Sequence, residues 1–229
     1  MSQDKKIIAA EKAIEYVKNG MKLGLGTGST ADEFTKILSK KIIEGLDIIC
    51  VSTSKRTEKL AIELGIPLST LSELGSLDLT VDGTDEVDNN LSLIKGGGGA
   101  LLREKIIAYN SKSLIIIADD AKRVKKLGDF KLPIEISRFE HSAINEKILI
   151  KLEEVGYFGK SFIREINNEN FITDGGNFIY DFSIGLIEEP YIVNQLVNSI
   201  PGVVENGLFV DMADVVIIGE NGKTEIYER

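Results

Sequence analysis

The strongest constraint on this chain is an alternation. Short, continuously apolar runs at 21–25, 47–51, 77–81 and 113–118 are separated by stretches whose apolar residues recur at helical spacing, at 4–19, 31–41, 55–64 and 100–110. A strand without a polar face is buried on both sides, and parallel neighbours need crossovers that helices supply. The pattern therefore predicts a parallel sheet covered by helices on both faces. The first helix carries Ile7, Ala10, Ile14 and Val17, with Gly20 as its stop. Thr30 and Glu33 have capping-box spacing at the start of the second, and 66–68 reads as a short additional strand.

Near Lys131-Leu132-Pro133 the pattern changes. Strand 134–137, helix 144–155 and strand 160–166 come first. Strand 171–182 follows, broken by a turn at Asp174-Gly175-Gly176, then helix 190–199 opened by Pro190, and strand 203–205. This β-α-β-β-α-β order is the split arrangement that closes an antiparallel sheet. Residues 1–130 and 207–229 are expected to form the parallel-sheet domain, and 131–206 a smaller inserted one.

Each predicted strand of the first half ends in a loop of similar chemistry. These are Gly26-Thr27-Gly28-Ser29-Thr30, Ser52-Thr53-Ser54, Asp82 to Asp88, and Asp119-Asp120-Ala121-Lys122. In open parallel sheets the carboxyl edge is where ligands bind, and convergence of four loops there weighs more than any one of them. A dinucleotide fingerprint is excluded, because Ser29 fills its third glycine position and the second strand ends in hydroxyls rather than an acid. No lysine precedes Ser29-Thr30, which excludes a Walker loop. An EF-hand fails as well: counted from Asp82, Val87 stands where glycine is needed and Leu93 where glutamate is needed. A small-residue turn suited to one phosphate or to sugar hydroxyls remains.

Chemistry concentrates in 81–105. Four adjacent glycines, Gly96 to Gly99, leave backbone amides uncovered and reach conformations that let them converge on an anion. Lys95 precedes them, and Asp82-Gly83-Thr84-Asp85 lies upstream. Glu104 has Ala100, Leu101, Ile107 and Ala108 at three and four residues' distance, all apolar. Such surroundings strip a carboxylate of hydration and make it a better base, while a place near a helix start opposes that shift; desolvation is expected to win in a closed pocket. The plain alternative is a solvated stripe of Arg103, Glu104 and Lys105; the adjacent glycines and Lys95 weigh against it.

Composition narrows the function. A net charge of −9 argues against nucleic acid or an anionic membrane as the main partner. The lone cysteine, Cys50, sits in an apolar run, which marks it as a buried structural thiol in a reducing compartment. With His141 the only histidine, multi-imidazole zinc sites are excluded, and its place in an apparent connector makes a surface or structural role the default. No signal-like apolar segment or spanning run is visible, so a cytoplasmic protein is expected.

Taken together, Gly26-Thr27-Gly28-Ser29-Thr30, Asp82-Gly83-Thr84-Asp85, Lys95-Gly96-Gly97-Gly98 and Arg103-Glu104-Lys105 resemble the type A ribose-5-phosphate isomerase family. Ala118-Asp119-Asp120-Ala121-Lys122, Leu132-Pro133-Ile134-Glu135, Thr173-Asp174-Gly175-Gly176-Asn177 and Ile200-Pro201-Gly202-Val203-Val204 extend the match over essentially the whole chain. Gly175 and Leu102 depart from the family's more usual Asn and Thr, away from the expected chemistry. The resemblance implies an α/β fold: a Rossmann-like parallel-sheet domain with an inserted, smaller ferredoxin-like α+β domain. It implies a homodimer, no cofactor, no metal, and a sugar phosphate substrate. The reaction it implies is interconversion of ribose 5-phosphate and ribulose 5-phosphate in the non-oxidative pentose phosphate pathway. Glu104 would be the general base, Lys95 would stabilise charge on the substrate oxygen, and Asp82 and Asp85 would bind hydroxyls and assist ring opening. Thr27, Gly28, Ser29, Thr30, Gly83, Thr84, Gly96, Gly97, Gly98 and Lys122 would complete the substrate site. The residues agree with that reaction, since moving a proton beside a carbonyl needs a base and an electrophile rather than a redox cofactor. Two rival classes are a non-catalytic sugar-phosphate sensor, usually equipped with a DNA-binding segment, and an acyl-transferring relative with a carboxylate nucleophile.

Overall fold

In the computed structural model, described over residues 2–229, six strands form one sheet. Their spatial order is Lys223–Glu228, Val215–Glu220, Leu114–Asp119, Leu79–Asp82, Lys22–Leu25 and Ile49–Ser52. Five run parallel, and only Lys223–Glu228, at the edge, is antiparallel. Leu114–Asp119 is buried at all positions, as its unbroken apolar run requires of an interior strand. Helices Ser2–Ile14 and Ser29–Ile43 contribute Ala9, Ala10, Ala13, Phe34 and Leu38 to the core, with no exposed area between them. The first helix approaches the sheet closely: a Cβ on Gly219 would lie 1.9 Å from the Lys5 carbonyl oxygen. The result is a mixed α/β protein with a central, mostly parallel sheet.

Several local expectations are corrected. The first helix ends at Ile14, well short of residue 19. The second begins at Ser29 with Gly28 as its cap and no side-chain capping bond, so Thr30 lies inside the helix and the Thr30–Glu33 box does not form. A capping box does form at Thr70 and Glu73, ahead of the short helix Leu71–Leu74. Residues 66–68 contribute one bridge, Cys50 to Leu68, rather than a strand. The terminal strand Lys223–Glu228 was not anticipated; its charges, Lys223, Glu225 and Glu228, are what an exposed edge carries.

By compactness the chain divides into two units. One takes the chain through Thr84, then Arg103–Arg123 and Met212–Arg229; the other holds Asp85–Leu102 and Val124–Asp211. Within the second, strands Val203–Asn206, Leu132–Ile136, Phe178–Ser183 and Lys160–Ile163 lie in that order, all antiparallel. Helices His141–Glu154 and Pro190–Asn198 pack Ile148, Leu152, Val193 and Val197 against Ile134 and Ile136. Glu86–Val87, Leu93–Ile94 and Leu208–Phe209 make a small three-stranded sheet, too short per strand to show a period in sequence. His141 begins a helix rather than lying in a connector, with its Nδ1 2.7 Å from the Tyr180 hydroxyl oxygen.

Glu135 is almost fully buried in the four-stranded sheet and accepts hydrogen bonds from Thr173 Oγ1 (2.7 Å) and Asn177 Nδ2 (2.9 Å). Burial pushes its pKa above the ordinary carboxylate value, against those two bonds. Stability from such a group is complete below its unfolded pKa, about 4.3, and is lost as pH rises through the folded value. Glu135→Gln keeps the accepting oxygen and removes the titration. The difference in Tm, variant minus wild type, is therefore expected to become more positive between pH 4 and pH 7 in calorimetry. The same difference at both pH values would refute the assignment.

Candidate active site

In the first unit, the carboxyl ends of the parallel strands bring the loops together as the alternation predicts. A Cβ on Gly26 would lie 2.2 Å from Asp82 Oδ1, so glycine is what permits the approach of the two strand ends. Asp82 is 1% exposed, and its Oδ1 accepts from the amides of Thr27 (3.0 Å) and Gly83 (2.7 Å). The Thr27 hydroxyl joins a buried cluster with Thr53 (2.7 Å), Ser54 (2.8 Å) and Thr57 (3.1 Å), and Thr57 donates to the Gly26 carbonyl. Ser54 in turn caps helix Lys55–Glu63 by accepting from the Thr57 amide. The Thr27 hydroxyl is thus engaged inward, stitching two loops together, while Ser29 is exposed and Gly28 half-buried. Gly28 has φ +121°, a conformation that favours glycine.

Lys6 donates to Ser29 Oγ at 2.9 Å and Lys5 to Asp120 at 2.7 Å. Sequence reasoning passed over Lys6, whose only local signal was a pair of lysines on an otherwise amphipathic helix. Thr30 is buried, Thr84 and Lys122 are half-buried, and Lys122 closes the turn Asp120–Lys122 after strand Leu114–Asp119. Glu104 lies in helix Leu101–Tyr109 at 3% exposure, and Ile107 and Ala108 on that helix are also buried. A solvated stripe through Glu104 is therefore ruled out; Arg103 and Lys105 are half-buried.

The second unit carries Asp85, Lys95 and the glycines. The Asp85 amide donates to the Ile94 carbonyl (2.9 Å), and its Oδ2 accepts from the Gly97 amide (2.7 Å). Gly96 and Gly99 have φ of +108° and +79°, and the Gly99 amide closes a turn on the Gly96 carbonyl. Gly97 and Gly98 are exposed, whereas Gly96 and Gly99 are buried. Lys95 is 2% exposed; its amide donates to the Gly207 carbonyl (2.8 Å), and its Nζ stands 5.6 Å from the centre of the Phe209 ring. Phe209 was not singled out in the sequence, where it sits in a short apolar run over a hundred positions from Lys95.

Cys50 is fully buried, and burial pushes its thiol up to about 12, which removes it as a nucleophile. Among the described residues no helix is long and apolar enough to cross a membrane.

A mostly parallel α/β sheet with amides, hydroxyls and carboxylates gathered at its strand ends defines an open α/β protein equipped for a small polar ligand. The family described as ribose 5-phosphate isomerase A (phosphoriboisomerase A) matches residues 49–223. A ribose-5-phosphate isomerase A of Sinorhizobium medicae (strain WSM419) is 52% identical over 213 residues, covering 93% of this chain and 92% of the relative. The solved structure of ribose 5-phosphate isomerase from Plasmodium falciparum superposes with a TM-score of 0.94 at 40% identity, covering 100% of this chain and 99% of that one. A D-ribose-5-phosphate isomerase solved in complex with phospho-erythronic acid gives a TM-score of 0.94 at 40% identity over the whole of both chains. The chain belongs to the ribose 5-phosphate isomerase A family.

Proposed function

We propose that this protein interconverts D-ribose 5-phosphate and D-ribulose 5-phosphate, with Glu104 as the base. In the open-chain aldose, Glu104 takes the proton from C2, and the electron pair moves toward C1 to give an enediolate. The same carboxyl group returns the proton to C1 while a proton passes between the two oxygens, leaving a hydroxyl at C1 and a carbonyl at C2. One carboxylate serves both carbons because they are adjacent. The observation that carries this reading is the burial of Glu104, at 3% exposure, on a helix whose neighbouring positions are apolar. Lys95 stabilises the negative oxygen, and Asp82 and Asp85 take substrate hydroxyls and assist ring opening. Thr27 to Thr30, Gly83, Thr84, the amides of Gly96 to Gly98, and Lys122 complete the substrate site. The phospho-erythronic acid held by the related isomerase supports a phosphorylated sugar skeleton as the ligand class.

The reading divides the chain into a Rossmann-like domain, 1–130 with 207–229, and an inserted ferredoxin-like domain, 131–206. The β-α-β-β-α-β order and the antiparallel four-stranded sheet support the second assignment. A cytoplasmic homodimer completes it, on the strength of the family resemblance. A coupled assay on ribose 5-phosphate with chelator present tests substrate, chemistry and metal independence together. Turnover unaffected by chelator is expected. No turnover with ribose 5-phosphate, or turnover abolished by the chelator, would overturn the corresponding part.

A further inference from the structure

Arg164 follows strand Lys160–Ile163, and its backbone is held by bonds to the Ile179 carbonyl and from the Phe171 amide, each 2.8 Å. Its guanidinium forks onto the Asp181 carboxylate, through Nε (2.9 Å) to Oδ2 and through Nη2 to Oδ1. The remaining nitrogen, Nη1, donates to the Gly96 carbonyl at 2.7 Å and to the Gly97 carbonyl at 3.3 Å. Both charged side chains are largely buried, 13% and 19% exposed. Asp181 therefore fixes the plane of a guanidinium whose free edge grips two consecutive peptides of the glycine loop.

A trans peptide points its carbonyl and its N–H in opposite directions. Holding the Gly96 and Gly97 carbonyls on Arg164 turns the amides of Gly97 and Gly98 the other way. The Gly97 amide indeed reaches Asp85 Oδ2 at 2.7 Å. Glycine peptides rotate with little steric resistance, so this run could equally present carbonyl oxygens. Amides attract a negative oxygen or phosphate, and carbonyls repel it. Within the loop the Gly99 amide holds the Gly96 carbonyl at 2.9 Å; from outside it, Arg164 holds that carbonyl and the Gly97 carbonyl as well.

We infer that Arg164, oriented by Asp181, is a positioning residue that sets the polarity of the glycine loop, keeping the Gly97 and Gly98 amides on the Asp85 side. This rests on the proposed isomerase reading, in which those amides and Asp85 meet substrate. Arg164→Lys keeps the charge but cannot fork onto Asp181 while gripping a carbonyl. Arg164→Ala leaves a space that soluble guanidinium can enter.

The test uses the full chain, with steady-state kinetics on ribose 5-phosphate and backbone amide hydrogen exchange at Gly97 and Gly98. Arg164→Ala is expected to lower kcat by about 10- to 100-fold, the scale of an ångström-sized misplacement, with KM changing less than kcat. Gly97 exchange should accelerate, millimolar guanidinium should restore part of the rate, and Arg164→Lys should fall between. If Arg164→Ala does not fold, Asp181→Asn, which keeps the carboxylate's shape, should show the same faster exchange and lower kcat. Unchanged Gly97 exchange in the variant that folds overturns the inference, whatever the rate does. Wild-type protein inactive on ribose 5-phosphate would refute the isomerase reading instead, while the exchange at Gly97 and Gly98 still decides the role of Arg164.

Discussion

Glu104→Gln is expected to lower kcat by about 10²- to 10⁴-fold, the range a positioned general base contributes, while folding and substrate binding survive. The amide has the shape of the carboxyl and can still accept and donate hydrogen bonds, but it cannot hold a proton taken from carbon. The site is 3% exposed, so bulk water has poor access to act as a substitute base. Glutamine keeps the volume and a hydrogen-bonding oxygen of the side chain, so the variant should fold, which far-UV circular dichroism checks. The decisive measurement pairs kcat with the entry of solvent deuterium into substrate carbon. Both should fall together, because both require the same abstraction. A variant that isomerises near the wild-type rate would end the assignment of Glu104 as base. A variant that binds ligand normally in a chain whose wild type never exchanges carbon-bound protons would favour a sensor instead.

The parallel sheet was legible because strands buried on both faces cannot hide their composition: the run 113–118 could be little else, and it became the fully buried Leu114–Asp119. The burial of Glu104 was legible for a related reason, since helical spacing alone places Ile107 and Ala108 beside it. Two-residue strands such as Leu93–Ile94 carry no period, and Lys223–Glu228 carries the charges of an edge, so neither could be read. The Thr30–Glu33 spacing is misleading because the helix already begins at Ser29 with Gly28 as its cap, which leaves Thr30 buried inside the first turn. Long-range partners are the least visible of all. Lys6 meets Ser29 across 23 residues and Arg164 meets Gly96 across 68, and only the fold's topology names those pairs.

Lys95→Met should cost about 10²- to 10³-fold in kcat, as the loss of one preorganised electrostatic group at an oxyanion does, with KM moving less. Methionine has nearly the length and the apolar stem of lysine, so packing beside Phe209 is retained and only the ammonium is lost. At 2% exposure the charge acts where water screens it weakly, which makes it worth more against a developing negative oxygen than any surface lysine. The same burial affects stability. Removing a buried cation leaves the groups around it uncompensated, so Tm should fall as well, and kcat is compared per folded molecule below the variant's transition. Lys95→Arg should not rescue the rate, because a planar fork cannot take the place of a compact point charge. If kcat instead stays constant and KM rises, Lys95 binds substrate and transition state equally, which would make it an anchor for the sugar phosphate rather than the group that steadies the enediolate.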